Sequence, residues 1–222
     1  MLEASREEQP KARYSLRKCA LPTENGTQIR WQAKSLGIQG TWQSLDPPCD
    51  ARIYECSEGS VEWHCVQPRA RCEVHVGNGM ALRGLGYVER LEMTVAPWSL
   101  PLEELRWGRF LSDSDSLVWI DWRGPHSRRV VAQNGIPRRA SAINEREIVV
   151  EGDGRLELSE GHVLRQGLLG ETALAVIPGL QRMFPSSLLN VQECKWRSRA
   201  KLLCGEGESS GWAIHEVVRW PK

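Results

Sequence analysis

Two glutamates stand at positions where a β-strand should present apolar side chains. In a strand over residues 85–95, alternation of side chains puts Glu89 on a face with aromatic and aliphatic residues. A strand over 212–220 places Glu216 in the same way. The neighbours on these faces are Leu85, Tyr87, Leu91, Met93 and Val95 for the first glutamate, and Trp212, Ile214, Val218 and Trp220 for the second. A carboxyl group there costs free energy unless it is paired, hydrogen-bonded or protonated.

Each of these glutamates therefore has two interpretations. If burial keeps Glu89 protonated near neutrality, its carboxylic acid can protonate an alkene, and the resulting cation can face aromatic rings such as that of Tyr87. We accordingly assign Glu89 and Tyr87 as candidate catalytic residues. The alternative is that each glutamate forms a structural ion pair with one of the many arginines of the chain. The sequence leaves both interpretations open.

Tryptophan is the commonest aromatic residue of this chain, which has 10 Trp, 3 Tyr and 2 Phe. Indole side chains pack protein cores, and they also line pockets for flat or extended apolar ligands. We assign Trp63, Trp98 and Trp119 as candidate walls of such a pocket. Asp121 shares a strand face with Trp119 and joins this set, although it could equally open the turn over 123–125. The expected ligand is therefore an apolar small molecule. Packing in a β-rich core is the alternative explanation.

The sequence predicts neither a metal nor a cofactor. Its 5 histidines show no HxH or HExxH spacing, and its 7 cysteines contain no CxxC pair. Those spacings are the ones that zinc sites use. The glycine-rich stretches lack a phosphate-binding motif, and no G-x-S-x-G serine elbow occurs. We expect the cysteines to be buried, reduced thiols.

The charges of the chain nearly balance, with 29 Lys+Arg against 28 Asp+Glu and a formal net charge of +1. Nucleic-acid-binding surfaces usually show a basic excess, so we expect no nucleic-acid partner. No run approaches the roughly 18 apolar residues that span a bilayer, and the polar start lacks the apolar core of a secretory signal. We therefore expect no integral membrane segment and a cytoplasmic location. The sequence does not indicate an oligomeric state.

The elements that must position these residues are short runs of alternating apolar and polar residues, separated by Gly, Pro, Asn and Asp. This pattern is typical of antiparallel barrels and sandwiches, so we expect an all-β fold. Two short helices are predicted, over 100–105 and 178–184. We divide the chain into a mobile lead-in over 1–24, a first β unit over 25–104 and a second over 105–222. Prolines and polar residues interrupt the strands between the two units.

Four segments resemble motifs of a known family. They are Gly84-Leu85-Gly86-Tyr87-Val88-Glu89, Pro97-Trp98, LRWGRF (105–110) and VWIDW (118–122). They are similar to the lipocalin-like superfamily of carotenoid 1,2-hydratases (hydroxyneurosporene synthases) and their AttH-like relatives, and the resemblance extends over residues 28–220. It implies two consecutive lipocalin-like antiparallel β units. Members that are enzymes add water to, or cyclise, isoprenoid or polyketide chains without a cofactor.

The resemblance also implies roles for individual residues. Tyr87 matches the tyrosine of the family's Gly-Tyr-x-Asp motif, and Glu89 matches the acid that protonates the alkene. A histidine-x-tryptophan element of the family reads Val61-Glu62-Trp63 here, with valine in place of histidine. Three functions stay open: a cofactor-independent hydratase, a non-catalytic carrier of an isoprenoid- or polyketide-like ligand, and a β-barrel scaffold with no pocket. An isoprenoid ligand would place the protein at the periphery of a membrane.

Overall fold

The computed structural model describes residues 19–77, 79–152, 154–175, 177 and 179–221. Within them strands dominate, helices are few and short, and all the strand pairings are antiparallel. The all-β class predicted from the sequence is therefore confirmed. Most of the predicted lead-in, as far as residue 18, lies outside the described residues.

The first sheet holds the strands that carry Trp63, Tyr87 and Glu89. Its strands are β1 (Thr23–Asn25), β2 (Gln28–Ala33), β3 (Ile38–Ser44), β4 (Cys49–Cys56), β5 (Gly59–Val76) and β6 (Met80–Met93). The long strand β5 organises this sheet, because β4 pairs with its first half, β3 with its second half, and β6 with both. Irregular register between residues 64 and 70 of β5 lets this long strand bend between its halves.

The second sheet curls into a nearly closed antiparallel barrel. Its strands are β7 (Glu104–Leu111), β8 (Ser116–Arg123), β9 (Arg128–Gln133), β10 (Ile136–Arg138), β11 (Ala140–Ile143), β12 (Glu147–Val150), β13 (Gly154–Leu168), β14 (Gln192–Cys204) and β15 (Gly207–Arg219). The β9–β10 hairpin closes through Asn134 and Gly135, whose positive φ angles of 52° and 75° suit a type I′ turn. The spatial order is β10-β9-β8-β7-β15-β14-β13-β12-β11. The strands of this sheet that come first and last along the chain, β7 and β15, are therefore hydrogen-bonded neighbours.

The helices differ from the sequence prediction at one place. The helix predicted over 100–105 is wrong: a short 3₁₀ helix spans Pro97–Ser99 instead, and β7 begins at Glu104. Glu104 joins the sheet because Arg106, Arg123 and Arg219 all pair with its carboxylate.

Near the second predicted helix, a 3₁₀ helix spans Leu180–Met183, and a one-turn helix, α1, follows Pro185 over Ser186–Leu189. Residue 178, where this prediction began, lies outside the described residues. None of the helices in the described ranges is long and apolar enough to cross a membrane.

Besides a smaller cluster around Leu188, Val191 and Val218, two apolar layers hold the described part of the fold together. One fills the barrel, and the other lies between the barrel wall and the first sheet. The second layer joins Ile53, Val61 and Trp63 of the first sheet to Ile120 and Trp122 of the barrel. Each such fully buried side chain contributes about 1.5–3 kcal/mol relative to leaving it exposed. This shared layer fixes β5 against the outer face of β8.

Close packing inside the barrel requires a glycine at one position. Gly108 of β7 pairs with Trp119 of β8 and with His215 of β15. A Cβ placed on Gly108 would collide with the indole of Trp119 and lie 2.7 Å from the Cβ of His215. The missing side chain makes room for the tryptophan ring in the barrel interior.

Candidate functional site

Glu89 connects the two sheets through its carboxylate. Its Oε2 accepts a hydrogen bond of 2.9 Å from Nε1 of Trp63 on β5 and one of 2.7 Å from Nη2 of Arg109 on β7. The Glu89 side chain is 25% exposed, whereas that of Arg109 is 1% exposed. A guanidinium at this distance and a second N–H donor are the partners expected of an ionised carboxylate. The geometry is therefore that of the ion-paired alternative.

Arg109 is held from several sides. Its Nη1 donates to Sγ of Cys65 at 3.6 Å and to the carbonyl oxygen of Pro68 at 3.4 Å. Its Cζ lies 3.6 Å from the centre of the Tyr87 ring, a close cation–π stack. Its Nε is buried and has no hydrogen-bond partner among the described residues. The guanidinium is thus fixed in place, and Nε is its one nitrogen with no partner among the described residues.

Tyr87 forms the aromatic side of this cluster. Burial raises the pKa of its phenol above the ordinary value, an effect that the nearby Arg109 opposes. Its ring also lies 6.4 Å from that of Trp107, at a tilt of 55°. Tyr87 therefore stays a neutral phenol at physiological pH, with a proton available to donate.

A cavity of about 260 Å³ opens beside Tyr87 and Arg109. It lies between β6 of the first sheet and the strands β7 and β15 of the barrel. The other lining residues are Leu85, Gly86, Leu111, Trp212 and Ile214. Its walls are thus mostly apolar, with one guanidinium and one phenol among them, as in small-molecule sites that fix a ligand through a few polar groups.

Two of the larger depressions in the described part of the protein differ in character from this cavity. One, of about 450 Å³, adjoins the cavity through Leu85, Leu111 and Trp212, and it continues past Arg199 and Lys201. The other, of about 500 Å³, lies over β2 and β3 of the first sheet. It is lined by none of the residues predicted from the sequence to form a site.

The structure brings some of the predicted site residues together and separates others. Trp63 is buried in the layer between the sheets and contacts Glu89. Trp98 is 44% exposed and packs edge-on against Phe184, 6.1 Å between ring centres. Trp119 lies in the barrel core. Asp121 is buried and pairs with Arg123 at 2.7 Å and Arg129 at 3.3 Å. The functional roles given to these residues remain predictions.

The second glutamate on an apolar face also has a cationic partner. Oε2 of Glu216 lies 3.0 Å from Nζ of Lys195 on the neighbouring strand β14. The separation satisfies an ion pair, although the atoms are not aligned as a hydrogen bond. Lys195 in turn lies 5.4 Å from the ring centre of Trp107.

Two thiols lie directly behind Arg109. Cys49 and Cys65 are opposite one another in the β4–β5 ladder, and both are buried and reduced. A hydrogen bond from Cys49 lowers the pKa of Cys65, and Arg109 acts in the same direction. The same interaction raises the pKa of Cys49. Cys65 is therefore the acceptor of this pair, facing the guanidinium.

A second buried polar pair lies inside the barrel. Nε2 of His215 and Oγ of Ser198 are 2.9 Å apart, and both residues are buried. The imidazole stacks on Trp196, 5.2 Å between ring centres at an interplanar angle of 20°. Burial lowers the pKa of His215 to about 4, so the ring is neutral at physiological pH.

Sequence reasoning did not identify Arg109. A signal was present, because alternation along LRWGRF puts this arginine on the same face as Leu105, Trp107 and Leu111. An arginine on one apolar face and a glutamate on another are candidates for pairing. The sequence could not show that the two faces meet.

Comparisons with known proteins bear on the fold. No protein-family model matches the sequence, and no curated protein matches it. Among solved structures, kievitone hydratase from Nectria haematococca is similar, with a TM-score of 0.52 and 11% identity over 87% of this chain and 65% of that one. CghA with Sch210972 has a TM-score of 0.50 and 10% identity, covering 86% of this chain and 64% of that one.

A putative AttH from Nitrosomonas europaea also has a TM-score of 0.50, with 9% identity over 87% of this chain and 67% of that chain. The chain thus spans about two thirds of the length of these structures. Similarity at such low identity shows the fold alone. It confirms the lipocalin-like fold of the hydratase and AttH-like type that the sequence motifs predicted.

Proposed function

We propose that this protein binds a small, largely apolar molecule of isoprenoid or polyketide type in the cavity between the two sheets. The observation that carries the proposal is the cavity itself, about 260 Å³ in volume, with mostly apolar walls and the polar groups of Arg109, Tyr87 and the Trp212 indole among them. Burial of apolar ligand surface against such walls is the main source of binding free energy. The apolar walls come from both sheets, so the folded protein holds the site open.

The fold neighbours support a small-molecule role. One of them is a hydratase, and another was crystallised with Sch210972. The proposal also places the protein in the cytoplasm or at the periphery of a membrane. The second location follows from the ligand, because apolar molecules partition into membranes. Both locations belong to this proposal.

Binding of N-phenyl-1-naphthylamine tests the proposal, because the fluorescence of this neutral dye rises in apolar surroundings. We expect saturable binding to the wild-type protein. Ile214→Trp fills the cavity and should weaken binding about tenfold or more. Gln39→Trp adds the same side chain at the 500 Å³ depression and should leave binding unchanged. Absence of saturable binding, or binding that Ile214→Trp does not weaken, would contradict the proposal.

A second candidate function is hydration of an alkene. It is favoured by the position of Tyr87, a neutral phenol that lines the cavity while Glu89 lies behind it on the same strand. In this proposal the phenol protonates one alkene carbon, water adds to the resulting cation, and the added water loses a proton to Glu89. The proton then returns to Tyr87, so the net reaction is alkene plus water to alcohol. Arg109 holds this carboxylate in place, with its Nη2 2.7 Å from Oε2 of Glu89.

Incubation of geraniol and farnesol in ¹⁸O-labelled water, followed by mass spectrometry, tests this second function. We expect one labelled water to add, and we expect Tyr87→Phe and Glu89→Gln to abolish the addition without abolishing dye binding. Glu216→Gln is the matched control, since Glu216 is also an ion-paired glutamate on an apolar face. Dye binding without any labelled product would leave the carrier role and reject the hydratase role for these substrates.

A further inference from the structure

We propose that Arg109 selects ligands that carry a carbonyl oxygen, by donating its free Nε–H to that oxygen. The inference rests on the proposed ligand-binding function and names the chemical class of ligand: apolar molecules with a ketone, enone or comparable neutral acceptor. It also makes Arg109 a specificity-determining residue of the cavity.

The guanidinium of Arg109 has more hydrogen-bond donors than the protein supplies with acceptors. Arginine presents five N–H donors in a fixed fork. Nη2 donates to Glu89, and Nη1 donates to Cys65 and Pro68, whereas Nε has no partner among the described residues. A buried donor without an acceptor costs free energy, and for a charged group the cost is larger than for a neutral one. An acceptor supplied by the cavity contents would remove that cost.

A second buried arginine, Arg69, differs from Arg109 in having no unpartnered nitrogen. Arg69 lies on the same strand as Trp63 and is also buried. Its Nε and Nη2 both donate to Asp46, at 3.3 and 2.9 Å, and its Nη1 donates to backbone carbonyls of Ser112 and Asp113. At Arg69 the protein supplies acceptors to all three nitrogens. At Arg109, which lines the cavity, it supplies acceptors to only two.

The surroundings of Arg109 determine which kind of oxygen it would accept. Tyr87 covers one face of the guanidinium at 3.6 Å, so a ligand oxygen must approach in the plane of the N–H groups. The Glu89 carboxylate, 2.7 Å from Nη2, already balances the positive charge. A second full anion would be repelled by Glu89 at short range in a low-dielectric site. A neutral carbonyl oxygen gains the hydrogen bond without that repulsion.

The experiment compares two ligands that differ in one atom. 2-Acetylnaphthalene carries a ketone oxygen, and 2-isopropenylnaphthalene has a CH₂ group in its place. Each displaces bound N-phenyl-1-naphthylamine from the wild-type protein in a fluorescence titration. We expect the ketone to bind about tenfold more tightly than the hydrocarbon, the effect of one hydrogen bond to a charged donor. 2-Naphthoate, an anion of similar shape, should bind less tightly than the ketone.

Two variants assign the preference to Arg109. Arg109→Lys keeps the positive charge but removes the Nε–H of the fork. Arg109→Met combined with Glu89→Gln removes both charges together, which avoids leaving one of them buried alone. Both should reduce the ketone preference to less than about twofold while the dye still binds. Arg90→Met, on the exposed side of β6, is the control and should keep the preference.

The outcomes separate this inference from the proposed function. If the dye does not bind to the wild-type protein, the proposed function fails. If the dye binds but ketone and hydrocarbon bind equally, Nε is satisfied in another way, for example by water, and the inference is overturned. It is also overturned if 2-naphthoate binds most tightly, or if the variants keep the ketone preference. The wild-type comparison requires no variant, so poor folding of a variant does not prevent the test.

Discussion

Two of the polar pairs described above lie on opposite faces of the barrel wall at β7 and β15: Glu89–Arg109 on the outer face and His215–Ser198 on the inner face. On β7 and β15, Arg109 and Ile214 face the cavity, whereas Gly108 and His215 face the barrel interior. The outward pair, Glu89 and Arg109, is charged and retains an unused donor beside a cavity. The inward pair, His215 and Ser198, is neutral and packed against tryptophan. Strand alternation thus gives this pair of strands one face with a charged group beside the cavity and another with a neutral polar group inside the barrel.

The two pairs differ in whether the titratable group has an oppositely charged partner. Between the sheets, Glu89 and Arg109 each have an oppositely charged partner within hydrogen-bond distance, as buried charges require. A histidine inside the barrel has no such partner and gives up its charge. If this explanation is right, perturbing the outward pair should cost the most, and perturbing the inward pair should show itself through pH.

The largest effect is expected for Glu89→Leu. It leaves the guanidinium of Arg109 buried without its carboxylate, which should lower the free energy of unfolding by about 3–5 kcal/mol in urea denaturation. The double variant Glu89→Leu/Arg109→Met removes both charges and should recover most of that loss. A single variant as stable as the wild type would show that the pair is not a buried ion pair in solution.

The next effect is a pH dependence that comes from His215. Burial lowers the pKa of this histidine to about 4, whereas it is near 6.5 in an unfolded chain. The unfolded chain therefore takes up a proton first as pH falls, so stability is full above pH 6.5 and is lost towards pH 4. The loss should reach about 3 kcal/mol. His215→Asn should lack this component, and identical pH profiles for the two proteins would contradict the prediction.

A smaller effect should follow from Trp63→Phe, which removes the indole N–H donated to Glu89. A hydrogen bond to a charged group contributes about 1.5–3 kcal/mol. Trp122→Phe is the matched control, because Trp122 is buried in the same layer and its Nε1 has no partner among the described residues. Urea denaturation should show a greater loss for Trp63→Phe, and equal losses would mean that the bond contributes little.

The smallest effect is expected for Trp98→Ala. This side chain is 44% exposed and contacts Phe184 edge-on, so its removal should cost less than about 1 kcal/mol. The same variant tests the sequence-based assignment of Trp98 as a pocket wall. Unchanged affinity for N-phenyl-1-naphthylamine would contradict that assignment, and weakened affinity would support it.

The sequence predicted the fold class and the unusual position of Glu89 because both follow from strand periodicity. Periodicity also placed Trp119 and Asp121 on one face of β8, and both do lie on the barrel side. It could not indicate that both faces of that strand are covered, one by the barrel interior and the other by the first sheet. The partner of Glu89 was missed because Arg109 lies 20 positions away on the other sheet. Which faces meet depends on tertiary packing, which alternation does not encode.

The helix predicted over 100–105 failed for a related reason. Pro101, Glu103 and Glu104 match the first turn of a helix, but Glu104 has three arginine partners on β7, β8 and β15. Those contacts favour strand over the local preference. Local propensity was therefore overruled by charges brought together from distant parts of the chain.

The glycine under Trp119 has a consequence for how such a sequence can drift over generations. A residue with a Cβ at position 108 would collide with the indole ring, and the His215 Cβ blocks the other direction. Neutral substitutions at these three positions are therefore not independent of one another. In a lineage of this protein, a side chain could be acquired at 108 only after Trp119 had been lost to a smaller residue. The residues found at positions 108 and 119 in related sequences would then show the order in which these substitutions occurred.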